Sequence, residues 1–126
     1  MQSFLLVGLG GALGAMGRYG VGIWVGRLHS SPFPLGTFTV NVIGSLAMGL
    51  LIGVLTRLMP PWQNEARLLV AVGLLGGFTT FSAYSLDIVT LIERHQAGVA
   101  FFYALISVLV GIAALFAGLF LARAGV

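Results

Sequence analysis

Residues 76–87 read Gly76-Gly77-Phe78-Thr79-Thr80-Phe81-Ser82-Ala83-Tyr84-Ser85-Leu86-Asp87 and lie inside a long apolar run. Twelve residues here carry two glycines, four aliphatic hydroxyls, three aromatic rings and a carboxylate. Each glycine in a helix interior costs about 1 kcal/mol relative to alanine, and adjacent threonines add β-branched strain. A segment of this kind fits a membrane span in two ways. It is an unbroken helix whose glycines mark a crossing, or a helix interrupted near its middle, which is tolerated only where the backbone is buried in protein or lines a cavity. An interruption frees carbonyl oxygens, which are good ligands for a hard cation.

The surrounding composition makes the membrane reading firm. Of 126 residues, 59% are hydrophobic and 7% are charged, and the mean hydropathy is +1.09. A soluble domain carries roughly 25% charged residues, so this chain cannot cover a globular surface with polar groups. Cysteine and lysine are absent, which excludes a disulfide framework, thiolate chemistry, a P-loop lysine and Schiff-base mechanisms. The formal net charge of +3 comes from six arginines against three acids. They are scattered at segment ends, as membrane-boundary residues are, and do not form a nucleic-acid footprint.

The expected fold is therefore an all-α membrane protein with four transmembrane helices, forming a single integral-membrane domain over residues 1–126. The apolar runs cover about 4–25, 35–55, 68–92 and 99–122, each long enough at ~1.5 Å per residue to cross a ~30 Å core. The first run lacks a charged leader and is too long for a cleaved signal peptide, so it reads as a retained span. Arg57, Arg67 and Arg123 fall on one side of such a topology, and Arg27 and Arg94 on the other, with Arg18 inside the first span. So small a bias barely orients the chain, which points to insertion both ways and an antiparallel, dual-topology homodimer.

Small residues recur at helical spacing: Gly10, Gly14 and Gly17 in the first span, Gly49 and Gly53 in the second, Gly111, Ala114 and Gly118 in the fourth. Lipid gives helices no hydrophobic reason to associate, so close backbone approach supplies much of the drive. Arg18 is the exception to this apolar pattern. It either snorkels to an interface or lines an aqueous vestibule that concentrates anions, and both readings stand.

The polar residues inside the spans are almost all hydrogen-bond donors: Asn41 in the second; Thr79, Thr80, Ser82, Tyr84 and Ser85 in the third; Tyr103 and Ser107 in the fourth. Tyr103, Ser107 and Gly111 share a helix face. No ionisable group sits at the centre of a span, and Asp87 is the only acid in any apolar run. His29 and His95 fall in loops without companions. No nucleophile, base or metal cluster is available for a hydrolase or transferase, so an enzyme is not expected.

At this point three boxes are recognisable. Gly76–Asp87 closely resembles the G-G-x-T-T-F-S-T-F-S-x-E box of the Fluc (CrcB) fluoride channels. Gly14-Ala15-Met16-Gly17-Arg18-Tyr19 and Gly36-Thr37-Phe38-Thr39-Val40-Asn41-Val42-Ile43-Gly44 resemble the family's first- and second-helix boxes, in order. The resemblance implies a passive, fluoride-selective channel of the cytoplasmic (inner) membrane that confers resistance to fluoride. It also implies an antiparallel homodimer with a structural sodium ion where the broken third helices cross, held by main-chain carbonyls at the positions of Gly76 and Thr79. Two fluoride pathways would be lined by Asn41, Phe81 and Tyr84, with Ser82, Ser85, Tyr103 and Ser107 as hydroxyl donors and Arg18 in the vestibule. No organic cofactor is implied. Tyr84 stands where the family's second phenylalanine is usual, Ala83 removes a threonine hydroxyl, and Asp87 shortens a glutamate.

Two other classes remain to be weighed. A small proton-coupled multidrug exporter shares the size and the four spans, but wants a glutamate in the first helix that this sequence lacks. A non-conducting accessory subunit is the other alternative.

Overall fold

The computed structural model describes residues 1–125 and is all-helical over them. Helix α1 spans Gln2–Leu28 and α2 spans Leu35–Leu58. The third span is built from several pieces: α3 (Gln63–Ala66), a π-helical stretch (Arg67–Leu75), α4 (Gly76–Phe78) and α5 (Ser82–Glu93). Helix α6 closes the fold over Ala97–Arg123. Four units, Gln2–Leu28, Leu35–Leu58, Gln63–Glu93 and Ala97–Arg123, are long and apolar enough to cross a membrane.

Prolines and left-handed turns set the helix ends. Pro34 precedes α2, its carbonyl accepting from Phe38 N–H at 3.1 Å. At the other end Met59 takes a left-handed conformation (φ 47°) and its N–H donates to the Leu55 carbonyl, just before Pro60-Pro61. His95 does the same after α5 (φ 60°), letting Gln96 N–H reach the Leu91 carbonyl at 2.8 Å. A reversal of this kind costs a non-glycine residue strain, but it turns the chain within three residues.

Two helix pairs hold the bundle together, α2 against α6 and α1 against residues 67–78. Both use glycine. A β-carbon on Gly49 would run into the Leu115 carbonyl, and one on Gly118 into the Leu46 carbonyl. On the other pair, Gly14 faces the Leu74 carbonyl, and a β-carbon on Gly77 would sit 2.6 Å from the Gly11 carbonyl. Backbone-to-backbone approach replaces side-chain interdigitation, as expected where lipid is the competing solvent.

Few side chains are buried. The largest fully buried ones are Tyr103, Leu55 and Val40. Tyr103 anchors an aromatic cluster, with Phe33 edge-on at 5.3 Å and Tyr84 tilted at 5.3 Å. Meanwhile Phe4, Leu9, Met16, Phe101, Phe116 and Phe120 lie exposed along α1 and α6. An apolar exterior of that extent is what hydrocarbon, not water, solvates.

A donor-lined cleft at the third span

The helical hydrogen bonding of the third span runs as far as Thr79 N–H, on the Leu75 carbonyl at 2.9 Å, and resumes with Ser85 N–H on the Phe81 carbonyl at 2.9 Å. Thr79 is extended (φ −84°, ψ 158°), and its hydroxyl donates back to the Leu75 carbonyl at 2.9 Å. In a continuous helix Thr80 N–H would bond the Gly76 carbonyl and Ala83 N–H the Thr79 carbonyl. Here Thr80 N–H donates to Asn41 Oδ1 at 2.8 Å, and Ala83 N–H donates to Thr80 Oγ1 at 3.1 Å. The Gly76 and Thr79 carbonyls thus lose their intrahelical donors. Gly76 and Gly77 themselves remain helical; the chain leaves the helix only after them.

Asn41 stabilises the exposed backbone from α2. Besides accepting from Thr80 N–H, its Nδ2 donates to the Thr80 carbonyl at 3.1 Å. The amide side chain therefore imitates a neighbouring peptide. One of its two amide N–H bonds is spent on Thr80, so one remains for a ligand.

Next to this clamp is a cleft of about 380 Å³. Its walls include Asn41, Ser45, Thr79, Thr80, Phe81, Tyr84 and Ser107, with Gly111 leaving room on α6. Phe81 is 77% exposed and lies 5.8 Å, ring to ring, from Tyr84. The Tyr84 phenol donates to the Ala104 carbonyl at 2.7 Å. Ser107 Oγ is buried without a hydrogen-bond partner. Unpaired buried hydroxyls are costly, which marks Ser107 as a donor available to a guest.

A second cleft of about 310 Å³ lies alongside, lined by Arg18, Tyr19, Thr37, Thr80 and Ala83 among others. The two share Thr80 and follow one another along α2, the second beside residues 36–40 and the first beside 41–48. Arg18 is half-buried there, and its Nε donates to the Gly77 carbonyl at 3.1 Å. That bond ties the guanidinium to the third span.

The remaining residues singled out in the sequence are placed as follows. Ser82 is exposed, its Oγ 3.3 Å from Thr80 Oγ1. Ser85 is half-buried in α5 and lines neither cleft. Tyr103 is fully buried, its phenol donating to Asp87 Oδ2 at 3.1 Å rather than lining the cleft with Ser107. Among the described residues no three His, Cys, Asp or Glu side chains gather to hold a metal.

Comparison with known proteins places this architecture. A family profile described as "CrcB-like protein, Camphor Resistance (CrcB)" matches residues 5–119. The chain belongs to the CrcB family. Among curated relatives, a protein of Phenylobacterium zucineum named "Fluoride-specific ion channel FluC" is 53% identical over 98% of this chain and 97% of its own. Relatives of the same name from Hyphomonas neptunium and Agrobacterium fabrum are 51% and 49% identical, each over 98% of this chain and at least 97% of their own. The relatives are named as channels and not as enzymes. Four membrane-crossing helices in such a family make this a multi-pass membrane protein.

Two contributors escaped the reading of the CrcB boxes. Ser45 lines the cleft one helical turn beyond Asn41, on the same face of α2. Thr80 serves through its main chain as Asn41's partner, and it lines both clefts. The i, i+4 spacing of Asn41 and Ser45 was available as a signal; the Thr80 main-chain role was not.

Proposed function

We propose that this chain is a fluoride-selective channel that lets fluoride leave the cell passively across the cytoplasmic membrane and so protects against its toxicity. The observation that carries the reading is the cleft beside the interruption, where a free Asn41 amide N–H and the unpartnered Ser107 hydroxyl meet an exposed Phe81. Fluoride is small and strongly hydrated, so a pore must replace its water with donors. Neutral donors and positive ring edges do that without trapping the ion, and conduction requires release as well as binding. The names of the CrcB relatives support the same ion.

In this reading two copies insert in opposite orientations and meet through their third spans. The nearly balanced arginines support dual topology. Phe81, 77% exposed in the single chain, would be covered at that contact. A structural sodium ion would be held by the Gly76 and Thr79 carbonyls of both copies, and those oxygens fit because each has lost its helical donor. When bound, the ion ties the two copies at the crossing by charge–dipole attraction. Asn41, Phe81, Tyr84 and Ser107 carry fluoride. Arg18 faces the entrance, with Thr37 and Thr80 beside it.

Growth is the direct cellular test. A bacterial strain lacking its own fluoride export should regain growth on fluoride when it expresses this chain. Growth no better than with an empty vector, despite membrane-inserted protein, would contradict the proposal.

A further inference from the structure

Arg18 lies at membrane depth, where an arginine costs ~2.5 kcal/mol or more on insertion scales unless it finds water or partners. Its Nε–H bonds the Gly77 carbonyl at 3.1 Å. In a continuous helix that carbonyl would accept from Phe81 N–H, so Gly77 is one of the groups the interruption leaves without its helical partner. The contact is held by its surroundings. Gly14, four residues before Arg18, faces the Leu74 carbonyl, and Gly77 abuts Gly11, so α1 and the end of the 67–78 segment behave as one tight pair. Arg18 is thus delivered to the last turn before the chain leaves the helix.

We infer that Arg18 is a positioning residue: its Nε hydrogen bond to the Gly77 carbonyl holds the interruption in shape, and this bond matters more than the positive charge. The carbonyls of residues 76–80 all lose their helical donors; Gly76, Phe78 and Thr79 stay open, while Thr80 is claimed by Asn41 and Gly77 by Arg18. Without that claim the 78–81 backbone gains a competing arrangement, in which Phe81 N–H returns to Gly77 and the Asn41 clamp on Thr80 is pulled out of register. The flux arm of the test rests on the channel reading; the backbone arm does not.

The chemistry of the side chain allows a clean separation. Glutamine places an N–H donor at the same number of bonds from Cα as arginine Nε, with no charge. Lysine keeps the charge but puts a methylene there, and methionine keeps neither donor nor charge. The experiment compares wild type, Arg18→Gln, Arg18→Lys and Arg18→Met as purified full-length protein. It reads amide hydrogen exchange over 78–83 and fluoride efflux from liposomes. Arg18→Gln is expected to keep wild-type protection over 78–83, whatever the loss of charge at the entrance does to its efflux. Arg18→Lys and Arg18→Met are expected to lose protection there and to slow efflux about tenfold or more, the scale of one lost hydrogen bond to a charged group. If either of the last two fails to fold, the other decides. Wild-type protection over 78–83 in Arg18→Lys with its loss in Arg18→Gln would assign the role to charge and overturn the inference, as would equal protection in all four proteins. Should wild type conduct no fluoride while the exchange pattern holds, the channel reading falls and the Arg18 assignment stands.

Discussion

Asn41 and Thr80, 39 residues apart in sequence, exchange two hydrogen bonds: Asn41 Nδ2 to the Thr80 carbonyl at 3.1 Å, and Thr80 N–H to Asn41 Oδ1 at 2.8 Å. A side-chain amide can donate and accept in this register without carrying charge. Asn41→Asp keeps the acceptor, removes both N–H donors and adds a charge beside the cleft. We expect fluoride efflux to fall at least about tenfold and stability by roughly 1–3 kcal/mol, the cost of leaving a buried carbonyl unpaired. Efflux assays and thermal unfolding of the purified variant check both; unchanged efflux would move the pathway away from Asn41.

Tyr84 stands where the CrcB box usually has phenylalanine, and the structure accounts for its hydroxyl. The phenol donates to the Ala104 carbonyl at 2.7 Å, between α5 and α6. The hydroxyl proton is thus already committed to a backbone carbonyl. Tyr84→Phe should therefore keep efflux within about twofold and lose about 1 kcal/mol of stability, one neutral hydrogen bond. A tenfold change in rate would show that the phenol itself meets the ion.

The bundle is closed by glycine contacts that tolerate no side chain. A β-carbon at Gly77 would lie 2.6 Å from the Gly11 carbonyl, whereas one at Gly98 meets nothing within 4 Å. Gly77→Ala should destabilise the protein by about 1–3 kcal/mol, the usual cost of overpacking, and Gly98→Ala should not. Comparing their unfolding temperatures in one detergent checks the contrast.

Much of this arrangement is written in the sequence, and what is missing has a physical reason. The four spans follow from apolar runs, and the helices extend past them by taking in interfacial residues such as Gln2 and Gln63–Glu65. Asn41 stands out because an amide in a span needs a partner, but that partner is main chain and depends on where another helix stops. Ser45 hides because a helical serine usually satisfies itself on its own preceding turn. Tyr103 and Ser107 share a helix face, yet the long tyrosine side chain carries its hydroxyl back along the helix, to Asp87. Nor does any local pattern announce the π-helical stretch Arg67–Leu75, in which Gly76 N–H reaches the Ala71 carbonyl. It lies against α1, where Gly10 and Gly14 approach its backbone.

Sodium should matter through stability before it matters through flux. The Gly76 and Thr79 carbonyls are proposed ligands, and a ligand that binds only the assembled state raises its melting temperature. Replacing sodium with a bulky organic cation should lower the unfolding temperature of the proposed dimer by several degrees. Restoring sodium should reverse the change. No difference between the two cations would remove sodium from the account.

The most direct test of the central claim is anion efflux from liposomes holding the purified chain, followed with fluoride and chloride electrodes. Once the membrane potential is collapsed by an ionophore, fluoride should leave rapidly while chloride stays inside. Equal efflux of both ions, or efflux of neither, would contradict the claim that this cleft is built for fluoride.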